Sequence, residues 1–180
     1  MVLTFVDLRV VRASILADIQ DLFAVPPANM PWSRAFNVYD ILDMANASHV
    51  PVEPYVFLVA AHPEPTESRI PMVVVDTTIN WRSYQLGGRN GAFVNVLLHC
   101  WGRTRAERDD IATLLANVYA GRTAKSPSIS IWTSLDDTTE ISVAAVTTPV
   151  QVTYPSAGDE LSAEGTLRNW TIVSFGLTIR

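Results

Sequence analysis

From about Asp7 to Ala24 the apolar residues Leu8, Val11, Ile15, Ile19, Leu22 and Phe23 recur at spacings of three and four, with Arg9, Arg12, Asp18 and Asp21 mostly between them. That period sets one apolar stripe along a helix. Pro26-Pro27 closes it, because neither proline can donate to the helix ladder. Further on, Thr104 followed by Glu107 matches a capping box, in which the hydroxyl accepts from a first-turn amide and the carboxylate reaches back. Asp109 and Asp110 add first-turn charge that the helix dipole favours. Ile111, Leu114, Leu115, Val118 and Tyr119 then form one stripe, and Gly121 sits where a left-handed C-terminal residue belongs. A second helix is therefore expected over Thr104–Ala120, packed on a sheet.

Elsewhere the period is two, or the run is apolar throughout. Tyr55–Ala61 and Ile70–Asn80 are rich in Val, Ile and Thr and read as strands. In Ala92–Trp101 one phase is apolar (Val94, Val96, Leu98, Cys100) and the other mixed (Phe93, Asn95, Leu97, His99, Trp101). Between these runs, Gln85-Leu86-Gly87-Gly88-Arg89-Asn90-Gly91 has the glycines that a reversing loop needs, which predicts a β-hairpin with a projecting tip. Ser128–Thr133, Glu140–Tyr154 (bent or broken near Pro149) and Trp170–Arg180 complete the strands. In the last, Thr171, Val173, Phe175, Leu177 and Ile179 alternate with Trp170, Ile172, Ser174, Gly176 and Thr178.

The stretch from Val25 to Pro54 is broken by prolines 26, 27, 31, 51 and 54 and carries Trp32, Phe36 and Tyr39. It reads as an arm lying on its own domain or on a neighbour, with room for a short helix around Tyr39–Ala47. The order helix, strands, helix, strands predicts an α+β fold: one mixed, mainly antiparallel sheet with helices packed on one face, a projecting β-hairpin and a proline-rich arm. Residues 1–180 form a single domain, with 25–54 as the arm.

Composition sharpens the picture in one respect. Charged residues make up 17 % of the chain, against roughly 25 % in an average domain. Two accounts are open: a Thr/Ser-rich surface that stays soluble without charge, or a surface partly covered by other subunits. The net charge of −5 argues against a general nucleic-acid coat protein. The one cysteine, Cys100, excludes an internal disulfide and suits a reducing compartment. The beginning MVLTFVDLRVVRAS lacks the basic-then-apolar pattern of a secretion signal. No run approaches the ~18 apolar residues of a membrane span.

Candidate chemistry is sparse. The glycine-rich turn lacks both the GK[ST] ending of a P-loop and dinucleotide spacing. His49, His62 and His99 are not spaced as metal ligands, and Asp136-Asp137 with Glu140 lacks the alternation of a calcium loop. Asp109 and Asp110, one apart on a helix, point in different directions. No catalytic, cofactor-binding or metal-binding residue is assigned, and no cofactor is expected. Arg82, Arg89, Arg103, Arg105 and Arg108, against the single acid Glu107, give 82–108 a local charge of +4. These arginines are solvated loop charge paired with nearby acids, or a contact with an acidic neighbour, or a contact with nucleic-acid backbone. Together with Trp32 and Phe36 they are the interaction candidates.

One arrangement resembles a known family. A strand (AFVNVLLHCW) runs directly into Gly102-Arg103-Thr104-Arg105-Ala106-Glu107-Arg108 and an amphipathic helix. Arg168-Asn169-Trp170-Thr171-Ile172-Val173-Ser174-Phe175 leads the terminal strand, and a helix opens the chain. This order is similar to that of the tail terminator (tail completion) proteins of tailed bacteriophages, over about Tyr55–Arg180. The resemblance implies a non-enzymatic structural protein of the virion tail or neck, assembled in the host cytoplasm. Its partners would be further copies in a hexameric ring, the tail tube protein and a neck or head-completion protein, with genomic DNA passing the lumen without specific binding. On that reading the lumen is neutral or acidic and the five arginines face protein. Other readings are a different neck or head–tail adaptor, a nucleic-acid-binding adaptor, or a small hydrolase using His99.

Overall fold

The computed structural model describes residues 8–25, 37–40, 55–60, 69–82, 91–122, 129–132, 140–154 and 169–179. Within them lie two helices, α1 (Leu8–Ala24) and α2 (Arg105–Gly121), and eight strands: β1 (Asn37–Asp40), β2 (Tyr55–Ala60), β3 (Met72–Arg82), β4 (Gly91–Trp101), β5 (Ile129–Trp132), β6 (Glu140–Val146), β7 (Gln151–Thr153) and β8 (Trp170–Ile179). The strands form one sheet in the order β1-β2-β3-β4-β8-β6-β5, with β7 also on β8. β1, β2 and β3 run parallel, and every other pairing is antiparallel. The fold is α+β, and its sheet is mixed and mainly antiparallel, as the pattern of elements predicts.

Both helices bury their stripes on the same face. Val11, Ile15, Ile19, Leu22 and Phe23 of α1 share one core with Ile111, Leu114, Leu115 and Tyr119 of α2. Val56 and Leu58, Val73 and Val75, Val94 to Cys100 on alternate residues, and Val173, Phe175 and Leu177 meet them from the sheet. Burying a side chain of this size stabilises by roughly 1.5–3 kcal/mol before entropy is counted. α1 touches β1, β2 and β3 and also β5, which stands at the opposite end of the strand order. The sheet therefore curls around α1.

Strand patterns follow burial. In β4 and β8 one phase packs under the helices and the other is half-buried, which gives the two-residue period. β2 and the start of β3 have no such alternation because both faces are covered. Phe57, Val59, Met72 and Val74 form a second cluster on the helix-free face, with Tyr39, Tyr55 and Trp101 packed against it.

Several local expectations are corrected. Tyr39 lies in β1, paired with Phe57, so part of the proline-rich stretch belongs to the sheet, and the remainder of the helix expected around Tyr39–Ala47, 41–47, lies outside the described residues. Parallel pairing with β2 and ring contact with Phe57 (6.1 Å between centroids) hold Tyr39 in the strand. α2 starts at Arg105, so Glu107 is its first-turn acid and Asp109 and Asp110 fall one turn later. Gly121 remains helical, and the helix ends instead at Arg122 (φ −91°, ψ 67°), whose N–H donates to the Tyr119 carbonyl. The hairpin is formed by β3 and β4 in continuous register from Met72↔Trp101 to Arg82↔Gly91. Its tip, 83–90, lies outside the described residues, as does the arm apart from Val25 and β1.

The Glu140–Tyr154 run is broken where expected. β6 leaves β8 after Val146, and β7 rejoins the same edge of β8 at Gln151. Gly176 holds the offset segment: its carbonyl accepts from Thr147 N (2.9 Å), and its N–H donates to Thr148 Oγ1 (2.5 Å). Pro149, which cannot donate to a ladder, sits in the gap.

Candidate functional site

The corner between β4 and α2 gathers most of the described arginine chemistry. Thr104 Oγ1 accepts from Glu107 N at 3.1 Å. The Glu107 carboxylate reaches back past the cap, to Arg103 N (2.8 Å) and to the Arg103 guanidinium (2.8 and 3.2 Å). Arg103 also lies over the Tyr55 ring, 5.1 Å from its centroid. Arg108 is buried, with 5 % exposure. Its guanidinium pairs with Asp109 (2.9 Å), donates to the Trp170 carbonyl (3.4 Å) and stands 4.9 Å from the Tyr154 ring centroid. A charge removed from water this far is tolerable only with such partners. Arg108 therefore ties α2 to β8 and to the end of β7, and does not present itself to a partner.

The arginine group is thus only partly assembled in the fold. Arg103, Arg105 and Arg108 sit together at the start of α2, with Arg105 exposed. Arg82 ends β3 opposite Gly91, at the far end of the hairpin from that corner. Arg89, Trp32 and Phe36 lie outside the described residues, as do His49, His62 and Asp136-Asp137.

His99 and Cys100 are neighbours in sequence but occupy opposite faces of β4. Cys100 is in the helix-side core, with its thiol 3.5 Å from the Leu98 carbonyl. Burial pushes its pKa up and keeps the thiol protonated. His99 lies on the other face beside Trp101 and Trp170. The three ring centroids are each 5.9 Å apart, with planes within 4–18° of parallel. The two residues cannot form a thiol–imidazole pair, because strand alternation directs them apart. Among the described residues no group of His, Cys, Asp and Glu is placed to hold a metal ion.

A different surface stands out at the sheet edge. From Ile141 to Gly158 the chain has no charged residue, and β7 lies within that run. All of β7 is exposed, and Val152 (39 %) and Tyr154 (52 %) are two of the three exposed large apolar side chains among the described residues. Beside β7, on the helix-free face, is a recess of about 360 Å³ lined by Thr78, Asn95, Leu97, Thr148, Gln151 and Ser174 among others. Its lining is neutral throughout. Residue-by-residue reading of chemistry passes over this surface. The signal that finds it is the length of the uncharged run, seen with its exposure.

No protein-family model matches the chain, and no curated protein is significantly similar to it.

Proposed function

We propose that this protein is a non-enzymatic structural subunit that closes into a ring with copies of itself, in the manner of a phage tail terminator joining a tail tube to the neck. The observation that carries this reading is how polar and apolar groups are divided over the surface. Arg103 and Arg108 are bound by Glu107, Asp109 and the Trp170 carbonyl inside the protomer. The exposed apolar side chains Val152 and Tyr154 lie on an open, uncharged sheet edge. Chemistry on a substrate needs a nucleophile, acid or base converging on a cavity, and the recess beside β7 is lined by hydroxyl, amide and apolar side chains with no titratable group among them. Association needs a low-charge surface able to exclude water.

The same division weighs against the nucleic-acid adaptor. Arg103 and Arg108 at the α2 corner already have carboxylate partners, and the chain carries a net charge of −5. Within the ring reading, DNA passes a neutral or acidic lumen, and the virion tail or neck is the protein's location.

Light scattering on the purified chain tests the ring. Six copies of the 19.8 kDa chain give about 119 kDa, which is the expected mass. A 19.8 kDa particle at every concentration overturns the ring. DNA affinity that falls steeply with salt would instead favour the adaptor.

A further inference from the structure

We infer that β7 is the strand through which one copy pairs with the next, its outer edge accepting an edge strand of a second copy of this chain. The inference rests on the ring reading and names the surface that makes the contact. β7 hydrogen-bonds to β8 along one edge, and no other described strand pairs with it. Among the described residues, the backbone groups on its outer edge are therefore left for strand addition.

Natural sheets commonly guard an exposed edge with lysines or inward-pointing charges. Here the whole run from Ile141 to Gly158 lacks them. Two copies that each carry −5 repel as whole molecules, so they meet at lowest cost where neither presents charge. That condition selects a second copy over a basic partner, which would gain nothing at this edge.

β7 is short, three residues, so backbone pairing supplies few bonds and side chains must add to it. Tyr154 is already held for that purpose. The buried Arg108 guanidinium lies against its ring, and Arg108 is fixed by Asp109 and the Trp170 carbonyl. A half-exposed aromatic in a set orientation loses little entropy on contact, and such residues dominate interface energetics. The recess beside Gln151, lined by hydroxyl and amide groups with Leu97, opens on the other side of the same edge. It receives a side chain of the incoming strand.

The test compares the wild type with Val152→Lys and Tyr154→Ser by light scattering. Amide hydrogen exchange at Gln151–Tyr154 is followed at high and low concentration. Both positions are exposed in the protomer, so circular dichroism is expected to match the wild type. Val152→Lys buries an unpaired ammonium in the contact and should raise the dissociation constant about tenfold or more. Wild-type amides of β7 that point away from β8 should exchange slowly in the assembly and rapidly on dilution. A wild-type ring that both variants leave intact, with the outward amides of β7 exchanging rapidly throughout, overturns the β7 contact and leaves the ring standing. A monomeric wild type overturns both.

Discussion

Replacing Gly102 by alanine is expected to lower the unfolding free energy by about 3 kcal/mol. A Cβ at this position would stand 2.4 Å from Arg108 N, 2.9 Å from Arg108 Cα and 2.9 Å from the Thr104 carbonyl oxygen. All three are backbone atoms, so no side chain can rotate out of the way. The corner has little room to shift as a unit. Gly102 N donates to the Asn169 carbonyl (3.0 Å), and Asn169 Nδ2 donates to the Arg103 carbonyl (3.0 Å), which pins the exit of β4 to the entry of β8. Relieving the clash means moving the first turn of α2, where Thr104 caps the helix and Arg103 pairs with Glu107. Gly121→Ala is the matched control. Its Cβ would meet nothing within 4 Å, and alanine is the better helix former by up to about 1 kcal/mol. Urea unfolding of the two variants should move in opposite directions. A Gly102→Ala protein as stable as the wild type would mean that this corner is not close-packed.

The second large effect is expected at Asp18, where alanine should cost about 2–3 kcal/mol. Asp18 Oδ2 accepts from the Tyr119 hydroxyl at 2.8 Å, and its Oδ1 accepts from the Arg122 guanidinium. Arg122 in turn lies 5.4 Å from the Tyr119 ring centroid. These three residues lock the middle of α1 to the end of α2. Removing the carboxylate leaves a buried hydroxyl without an acceptor and a partly buried cation without its counter-charge. Asp18 and Arg122 each keep 19 % side-chain exposure, so water offsets part of that loss. Asp18→Asn retains an acceptor for Tyr119 and should cost less.

The same network sets a pH dependence. Burial first, then the nearby Asp18 charge and its hydrogen bond, hold the Tyr119 hydroxyl well above the usual tyrosine range, against a smaller opposing pull from Arg122. In the unfolded chain the group titrates near ~10. The folded state thus holds its proton more tightly. Its contribution to stability is complete below ~10 and is lost as pH rises from there toward the folded value. Chemical denaturation at increasing alkaline pH should show stability falling. Tyr119→Phe should be less stable at neutral pH but flatter through that range. An equal alkaline slope in the two proteins would remove Tyr119 as its source.

Much of the architecture was legible because local signals agreed with the global fold. The α1 stripe, the Thr104–Glu107 cap and the alternation in β4 and β8 each require only nearby residues and one buried face. Tyr39 falls in a strand of four residues, which carries too little pattern of its own to be seen in the sequence. Gly121 misled because a glycine near a helix end permits a left-handed terminus without requiring one. Chemistry was harder to read. The arginines between 82 and 108 look like one group along the chain, yet register separates Arg82 from the α2 corner by the length of the hairpin. Arg108 looks like surface charge in sequence, and burial among Asp109, Trp170 and Tyr154 makes it internal.

Periodicity, caps and turn residues act over a few residues, so the chain alone determined its helices, its hairpin and an α+β class. The low charge likewise belongs to composition. Strand order, the curl of the sheet around α1 and the parallel entry of β1 depend on contacts between residues far apart in sequence. So does the union of Asp18 with Tyr119 and Arg122, more than a hundred positions away. Only tertiary structure decided these, because no short window contains both partners, and burial sets what each polar group can do.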